Sequence, residues 1–355
     1  MSRCCIVPPT MLDRIARHGT KAQRQRALST IALDATIRQA RVQNQLLRGV
    51  RGHREGPDAL AALENQGPNR EIRDAQGLEQ VMRGPIVRTE GGPPTGDAAA
   101  DEAYDGLGAT YDFWAQAYGR NSIDDEGMPL RGVVHYGQDY DNAFWDGRRM
   151  VFGDGDGKLF LRFTLSLDVI GHELAHGVTE DENGLQYQGQ SGALNESCSD
   201  VFGSLVKQHT LGQTAEQADW LIGADLLGPD VQGTALRSMA APGTAYDDDV
   251  LGKDPQPAHM DDFVVTSEDD GGVHINSGIP NHAFYVAATT LGGNAWERAG
   301  RVWYETARDR GLRSTATFTD FARITVAVAG QLFGAGGAEE AAVRGGWDAV
   351  GVAWT

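Results

Sequence analysis

The spacing of apolar and polar positions indicates that the N-terminal part of the chain is helical. Residues 21–48 contain neither glycine nor proline, and their apolar positions recur near helical spacing, which predicts one or two basic helices. Residues 49–68 combine glycine, arginine, asparagine and proline and predict a linker, and residues 85–97 predict a second loop-rich stretch. Short segments such as residues 85–88 predict strands.

Further along, the pattern predicts strands and then helices. A helix with aromatic residues is predicted at 104–118 and a strand region at 133–152. Residues 153–157 predict a hairpin turn, because the residues that follow do not fit a calcium-binding EF-hand loop. Beyond residue 183 the predicted elements are mainly helices, at residues 192–210, 279–291, 295–310 and 318–333.

These elements predict an α+β protein with a β-rich N-terminal lobe and an α-helical C-terminal lobe. A chain of 355 residues exceeds what one hydrophobic core usually holds, which also favours two lobes and a small extra segment. We expect the extra segment at residues 1–54, the N-terminal lobe at 55–183 and the C-terminal lobe at 184–355.

The charge is distributed unevenly between these parts. The net charge of −18 disfavours nucleic acid and anionic membranes as partners, because both would repel the surface. Residues 1–54 contain 11 Lys/Arg against Asp13 and Asp34, so they carry +9 and the remainder carries −27. Since the two parts attract each other, we expect the basic segment to dock on the acidic body rather than to serve as a nucleic-acid tail.

Three cysteines, Cys4, Cys5 and Cys198, are too few for a disulfide framework. The first nine residues contain no apolar stretch that reads as a secretory signal, and no stretch approaches the ~18 apolar residues of a membrane span. The sequence therefore predicts synthesis in the cytoplasm, with release by a non-classical route left open. We expect a monomer that binds no membrane.

The segment from His172 to His176 carries the most specific chemistry. Its two imidazoles are four residues apart, so on a helix they lie one turn apart on one face and can bind the same ion. Glu173 projects about 100° around the helix and can hold a water molecule on that ion. A surface helix with two histidines is the alternative, but the apolar residues 165–170 before the motif indicate a buried helix.

Glu196 and Asp200 repeat the four-residue spacing with carboxylates. One can be the third metal ligand, and the other can accept the free N–H of a ligating histidine. Two histidines and one glutamate leave a position for water, which is typical of a catalytic zinc site. A metzincin site is excluded because residues 177–182 contain no histidine. Cys198 faces away from Glu196 on a helix and is expected to be a small core residue.

These residues resemble the thermolysin-like metallopeptidases, and most closely the protealysin type, which is made as a precursor with a short propeptide. The resemblance rests on five blocks in order: Asn142-Ala143-Phe144-Trp145, His172-Glu173-Leu174-Ala175-His176, Gly192-Ala193-Leu194-Asn195-Glu196 with Asp200, Leu236-Arg237-Ser238-Met239, and Gly271-Gly272-Val273-His274-Ile275-Asn276-Ser277-Gly278. It implies a zinc endopeptidase of the two-lobed thermolysin-like fold that acts on peptides and proteins. The precursor would be latent and self-processed, with residues 1–54 as a propeptide that occupies the cleft in cis.

The resemblance also implies roles for individual residues. The implied zinc ligands are His172, His176 and Glu196, with Asp200 as the partner of His172. The implied catalytic residues are Glu173 as general base and then acid, His274 and Tyr187 as oxyanion donors, and Asp269, which orients His274. The implied substrate-positioning groups are Asn142, the Ala143 backbone and Arg237. The pocket for a hydrophobic residue just after the cut is expected to be lined by Phe160, Phe163, Val169 and Leu236.

Two departures from the family pattern change the picture. The positions of a double calcium site read Asp168, Lys207, Asp219, Leu221 and Ala224. We expect the Lys207 ammonium group to replace the ions with a salt bridge, which puts calcium dependence in doubt. In the N-terminal segment, Pro8 and Pro9 only approximate the Pro-Pro-Leu motif of protealysin propeptides, although they would still present a stiff, poorly cleavable chain in the cleft. A cysteine switch, with the Cys4 or Cys5 thiolate on zinc, is the alternative.

Two other functions are weighed against an endopeptidase. An aminopeptidase shares the zinc ligands but requires groups that capture the substrate amine, commonly a Gly-x-Met-Glu-Asn segment, and the chain contains none. An inactive binder or delivered effector would use the cleft without hydrolysis. The missing export signal favours it, but the presence of every catalytic residue of the family pattern disfavours it.

Overall fold

The structure is a computed structural model that describes residues 5–51 and 67–355, with side chains described for residues 5–36 and 67–355. Cys4, most of the predicted linker and the boundary at residue 54 lie outside the described residues. A helical N-terminal segment is followed by a mixed sheet and then by a mainly helical half, which confirms the predicted α+β architecture.

The helices are α1 (Pro9–His18), α2 (Lys21–Arg51), α3 (Ala98–Tyr118), α4 (Leu167–Glu182), α5 (Gly189–Leu211), α6 (Asp269–Asn276), α7 (Gly278–Leu291), α8 (Ala299–Ala307), α9 (Phe318–Phe333) and α10 (Ala338–Ala349). The strands are β1 (Glu71–Asp74), β2 (Ile86–Thr89), β3 (Arg131–Val134), β4 (Ala143–Trp145), β5 (Met150–Phe152), β6 (Leu221–Ile222), β7 (Arg237–Ser238), β8 (Asp247–Asp248) and β9 (Gly252–Lys253). Among the described helices, none combines the length and the apolar character that crossing a bilayer requires.

The N-terminal sheet has β4 at one of its edges. Its order is β2-β1-β3-β5-β4, with β1 parallel to β3, β3 parallel to β5, and antiparallel pairs at both ends. Because β4 is the last strand, the side of its backbone that faces away from β5 can pair with another extended chain. β4 and Asn142 before it belong to the first block of the family pattern, so the sheet edge presents these residues.

Helices α4 and α5 pack closely enough to bring their side chains to one point. Gly203 of α5 faces Asp168 of α4, and a Cβ atom at Gly203 would lie 2.3 Å from the Asp168 carbonyl oxygen. A larger residue there would push the helices apart. The residues of α4 that directly precede His172 are buried as well, so α4 lies inside the molecule, as the sequence predicts.

The predicted hairpin at residues 153–157 is wrong. The hairpin of this region joins β4 to β5, and the chain after β5 pairs Phe160 with Leu227 of the other half. The Asp156 carboxylate stabilises this turn by accepting the backbone N–H groups of Lys158, Leu159 and Phe160. The same Gly/Asp composition thus forms a side-chain-stabilised turn that leads to the pairing of Phe160 with Leu227, and local sequence patterns do not distinguish such a turn from a hairpin.

Candidate metal centre

Three buried side chains from α4 and α5 converge on one point. His172 and His176 lie on α4, and Glu196 lies on α5. The two Nε2 atoms are 3.0 Å apart, and each is 3.5 Å from an oxygen of Glu196. All their ligand atoms lie within 4.8 Å of one another, and within residues 5–51 and 67–355 no other group of His, Cys, Asp and Glu is arranged in this way.

Hydrogen bonds behind each imidazole fix which nitrogen faces the ion. His172 Nδ1 lies 2.8 Å from Asp200 Oδ1, and His176 Nδ1 lies 2.7 Å from Asn195 Oδ1. Because these oxygens only accept, we assign the proton to Nδ1 in both rings, which leaves two Nε2 lone pairs directed at the same point. A cation between them removes their repulsion, so two imidazoles and a carboxylate fit a zinc ion.

Asp200 connects the metal centre to Arg237. Besides the His172 bond, its carboxylate accepts two hydrogen bonds from Arg237 and one from Asn281, each 2.8 Å long. Burial opposes ionisation of Asp200, but Arg237 and His172 outweigh burial and hold its pKa well below the ordinary value. Asp200 is therefore a buried anion that orients a metal ligand on one side and Arg237 on the other.

His274 and Tyr187 form a second polar group next to Glu196. The Tyr187 hydroxyl donates to Glu196, and it lies 3.2 Å from His274 Nε2. His274 Nδ1 lies 2.6 Å from Asp269 Oδ1. Burial favours the neutral imidazole, but the carboxylates of Glu196 and Asp269 raise the pKa of His274 to about 9. His274 can therefore carry a proton on Nε2 and donate it in a hydrogen bond at neutral pH.

The backbone before His274 is held in an unusual conformation. Asp269 and Asp270 have φ angles of 50° and 51°, and Gly271 and Gly272 continue with positive φ. A Cβ atom at Gly272 would lie 2.7 Å from the Asn276 side chain. Non-glycine residues in this region cost free energy and often mark functional sites. The turn lets Asp269 accept from the His274 backbone as well as from its ring.

Glu173 and Asn142 meet at the edge strand. Glu173 is fully buried on α4, and its Oε2 accepts the Trp145 N–H of β4 at 3.0 Å. The Asn142 side chain holds the N-terminal segment, because it accepts the Val7 N–H at 3.0 Å and donates to the Val7 carbonyl at 3.2 Å. Glu173 on the zinc helix and Asn142 before β4 thus lie at the same edge of the sheet.

Ile6 extends this contact along the edge of β4. Its N–H donates to the Ala143 carbonyl oxygen at 3.4 Å, and its own carbonyl accepts from Arg237 Nη1 at 3.3 Å. Pro8 and Pro9, which we expected in the cleft, follow directly and begin α1, where proline suits the first turn. Ile6 and Val7, rather than Pro8 and Pro9, therefore make the hydrogen bonds to Asn142, Ala143 and Arg237.

The expected pocket residues and cysteines lie in hydrophobic surroundings. Phe160, Phe163, Val169 and Leu236 are buried in the same cluster as Ile6 and Val7. Cys198 is also buried there, and burial raises the pKa of its thiol to about 12, which suits a core residue. Cys5 packs in a separate cluster with Tyr136 and Tyr140, and its thiol does not join the His172, His176 and Glu196 group. Cys4 lies outside the described residues.

Lys207 lies where the family pattern has calcium ligands. Its Nζ atom is 2.8 Å from Asp219 and 3.3 Å from the fully buried Asp168. Burial favours the neutral amine, but these carboxylates outweigh it and raise the pKa of Lys207. The other two positions have no acidic side chain: Leu221 is the first residue of β6, and Ala224 is the first residue of a 3₁₀ turn (Ala224–Leu226).

We expect Lys207→Met to lower the free energy of unfolding by about 3 kcal/mol, because it leaves the Asp168 carboxylate buried without its ammonium partner. Urea unfolding measures this loss, and Lys253→Met, at an exposed lysine of β9, is the control that should change little. Calcium should not raise the unfolding midpoint of the unmodified chain. Two or more tightly held calcium ions per chain, measured by atomic absorption, would contradict the substitution.

Several supporting groups were not assigned a role from sequence. Asn195 and Ser199 both contact His176 Nδ1, Asn281 donates to Asp200, and the Trp145 backbone donates to Glu173. Asn195 and Ser199 are four residues apart on α5, one position before the Glu196 and Asp200 pair. This offset repeat is the signal that could have indicated them.

Known proteins match the chain over nearly all of its length. Residues 87–180 match the family model described as thermolysin metallopeptidase, catalytic domain, and residues 183–352 match the thermolysin metallopeptidase, alpha-helical domain. An extracellular metalloprotease of Pectobacterium carotovorum subsp. carotovorum is 54% identical over 98% of this chain and 96% of its own. An extracellular minor metalloprotease of Serratia marcescens is 54% identical over 56% of this chain and 57% of its own.

A solved structure extends the similarity to the N-terminal segment. A precursor of protealysin, a metalloproteinase from Serratia proteamaculans, has a TM-score of 0.88 and 52% identity, and the match covers 99% of this chain and 100% of that one. The predicted resemblance to protealysin-type precursors and the two-lobed fold are confirmed by this match and by the family models.

The relatives also correct one expectation. Two of them are named extracellular, which implies secretion, so the prediction of a protein made in the cytoplasm with release only left open is wrong. That prediction rested on the lack of an apolar run in the first nine residues. An apolar signal of this kind is one sequence feature of secretion, and its absence does not decide where a protein acts.

Proposed function

Because the chain belongs to the thermolysin family of zinc metallopeptidases, we propose that it is the latent, self-processed precursor of a neutral endopeptidase. It is a metalloprotease, and His172, His176 and Glu196 are arranged as its zinc site. One observation carries the proposal. Ile6 and Val7 lie in the cleft as a peptide substrate would, with their backbone groups bonded to Ala143, Asn142 and Arg237.

The hydrogen bonds of Ile6 and Val7 support a substrate register. Both N–H groups and both carbonyl groups of this dipeptide are bonded to the protein, one to the Ala143 carbonyl of the edge strand β4 and three to the side chains of Asn142 and Arg237. A main-chain bond to a sheet edge is the kind of contact that an extended peptide substrate makes. The Ile6 side chain is fully buried in the main hydrophobic core, which also contains Phe160, Phe163, Val169 and Leu236. A buried apolar side chain at this point supports a preference for a hydrophobic residue just after the cut.

Glu173 is the group that we assign to proton transfer. When bound, zinc acidifies a water molecule and polarises the scissile carbonyl. Glu173 takes the proton from the attacking water and returns it to the leaving amine, as general base and then acid. Its Oε2 accepts the Trp145 N–H of β4, the strand that we propose binds the substrate. This bond fixes the position of the carboxylate relative to that strand.

His274 and Tyr187 are the groups that we assign to the oxyanion. Both are buried beside Glu196, and Asp269 keeps the His274 ring in one orientation through its 2.6 Å contact with Nδ1. Donors that are already in place stabilise the negative charge of the tetrahedral state without reorganisation. Arg237 and Asn142, which hold Ile6 and Val7 in the precursor, would hold the corresponding carbonyl and amide groups of a substrate.

The basic segment is held on the catalytic body by one face of α2. The Arg26 guanidinium bonds to Asp141 and Asp139, the Thr30 hydroxyl accepts the Asp141 N–H, and the Asp34 carboxylate accepts from Asn142 and Tyr140. Ile6 and Val7 of the N-terminal segment thereby bond to the groups proposed to position the substrate. Helix α2 of the same segment contacts the residues that directly precede β4. We propose that residues 1–54 act as an inhibitory propeptide in cis, with Pro8 and Pro9 fixing the chain where it leaves the cleft.

We expect Arg26→Glu to accelerate maturation of the full-length chain by roughly tenfold, because it places a carboxylate against Asp139 and Asp141 and weakens docking of α2. A time course of precursor loss by gel electrophoresis measures the rate. Arg17→Glu is the matched control, since Arg17 is exposed on α1 and pairs only locally with Asp13. Equal rates for both variants would show that the Arg26 contacts do not maintain latency.

Intact mass tests the proposed function as a whole. Full-length protein incubated with zinc should lose its N-terminal segment and then cut a protein substrate internally, before hydrophobic residues. A zinc chelator should stop both reactions, and added zinc should restore them. First products that are single N-terminal residues would indicate an aminopeptidase, and zinc-loaded protein that cuts nothing would indicate a binder. We propose that the mature enzyme, residues 55–183 and 184–355, works as a monomer.

A further inference from the structure

Removal of the N-terminal segment exposes the acidic site that holds Arg26. Asp141 is buried, and its carboxylate receives the Arg26 Nε at 3.2 and 3.0 Å, with a further bond from Nη2. Asp139 receives Nη1 of the same guanidinium, and its own side chain is more than half exposed. A cavity of about 330 Å³ surrounds this contact and is lined also by Gly137, Gln138 and Tyr140. Two carboxylates therefore enclose one planar cation.

Loss of Arg26 would take away the cation that pairs with Asp139 and Asp141 in the precursor. Asp154 on the same cavity is already balanced by His135, whose Nδ1 lies 2.9 Å away, and the hydrogen bond to Asp154 raises the pKa of His135 to about 9. Burial raises the pKa of Asp141, with Asp139 and Asp156 adding to this and Arg26 opposing it. When Arg26 leaves with the propeptide, the opposing charge leaves too.

The position of Asp141 relates this site to the substrate. Asp141 directly precedes Asn142, whose side chain holds both backbone groups of Val7. If Ile6 lies in the position just after the cut, Val7 lies in the second. Because Asp141 and Asn142 are adjacent in the chain, with Cα atoms about 3.8 Å apart, the acidic site borders the group that holds Val7.

We propose that in the mature enzyme Asp139 and Asp141 form a specificity site for a substrate arginine or lysine in the second or third position after the cut. This inference rests on the proposed function. Arg26 shows which chemical group the site accepts, because a guanidinium donates to two carboxylates in a planar fork. The precursor would then carry its own substitute for this basic residue, although on a helix rather than in the extended segment.

A positional peptide series tests the proposal with the mature, zinc-loaded enzyme. Each peptide has one hydrophobic residue after the cut and either arginine, methionine or glutamate in the second or third position. We expect kcat/KM to be roughly tenfold higher for arginine than for methionine in at least one of these positions, and lower still for glutamate. The arginine preference should decrease as the salt concentration rises, because the site is partly exposed.

Variants connect the preference to the two carboxylates. Asp141→Asn and Asp139→Asn should each reduce the ratio of the arginine rate to the methionine rate, and the double variant should bring it close to one. Asp105→Asn is the charge-matched control, because that exposed carboxylate lies on α3 and should leave the ratio unchanged. The peptide series with unmodified enzyme still decides the matter if the variants fail to fold.

The outcomes separate this inference from the proposed function. An enzyme that cuts the methionine peptides but shows no arginine preference in either position refutes the specificity site, and Asp139 and Asp141 then serve docking of the propeptide alone. A preference that persists in the double variant also refutes it. An enzyme that cuts none of the peptides refutes the proposed endopeptidase instead.

Discussion

Glu173→Gln should leave the zinc content of the protein unchanged and lower kcat/KM for a peptide substrate by about 10³-fold or more, at the upper end of what general acid–base catalysis supplies. Glutamine has nearly the same shape, and its side-chain oxygen can still accept the Trp145 N–H, so the fold and the zinc ligands stay in place. It cannot take a proton from water at neutral pH. Metal analysis and steady-state kinetics on the same preparation measure the two effects together.

The same substitution should also stop maturation, because the precursor cleaves itself with the same residue. Intact mass should therefore show the full-length chain after long incubation with zinc. Glu180→Gln is the matched control, since Glu180 lies two turns further along α4 and is exposed. Peptide cleavage or maturation at an undiminished rate in Glu173→Gln protein that is free of unmodified enzyme would contradict the assigned role.

The zinc site could be predicted from sequence because its geometry is mostly local. His172 and His176 share one helical face, and the Glu196 and Asp200 pair repeats that spacing on the next helix. Sequence alone left open which of these carboxylates binds the ion. The structure resolves the question, because Glu196 lies beside both Nε2 atoms and Asp200 lies behind His172.

The contacts that hold the precursor together join residues far apart in the chain. The sequence predicts only that a basic segment attracts an acidic body. The charge difference between residues 1–54 and the remainder predicts docking, but it does not select Arg26 and Asp141, which are 115 positions apart. Nor does a motif identify Asp34, an acid within the basic segment. Its carboxylate accepts from Asn142 and Tyr140 only because α2 packs against the residues that precede β4.

Local signals also explain which helices could be predicted. Helix α9 agrees with the predicted residues 318–333 because Thr317 and Asp320 form a capping box and Gly334 ends the helix. Helix α10 was missed because Gly345 and Gly346 weaken its helical propensity. A Cβ atom at Gly346 would lie 2.4 Å from the Ala283 carbonyl oxygen of α7, so glycine is required there by packing that sequence patterns do not show.

Asp200→Asn should have the largest effect on stability among single substitutions at the site. The Asp200 carboxylate accepts four hydrogen bonds, and asparagine would direct an NH₂ group at donors of Arg237, His172 or Asn281. Arg237 would also remain buried without its counter-charge. We expect a loss of about 3–5 kcal/mol in the free energy of unfolding. Zinc affinity should fall by about 10- to 100-fold, because a neutral amide replaces the carboxylate that accepts the His172 Nδ1 proton.

A second variant separates these two effects. In Asp200→Asn with Arg237→Met the buried guanidinium is gone, so part of the lost stability should return, since removing both partners of a buried pair costs less than removing one. Zinc affinity should stay low, because the Arg237→Met change does not restore the negative charge of the acceptor behind His172. Both variants are best made with Glu173→Gln, which prevents self-cleavage during urea unfolding and chelator titration. Equal stability of the single and double variants, or zinc affinity that recovers with stability, would contradict this division of roles for Asp200.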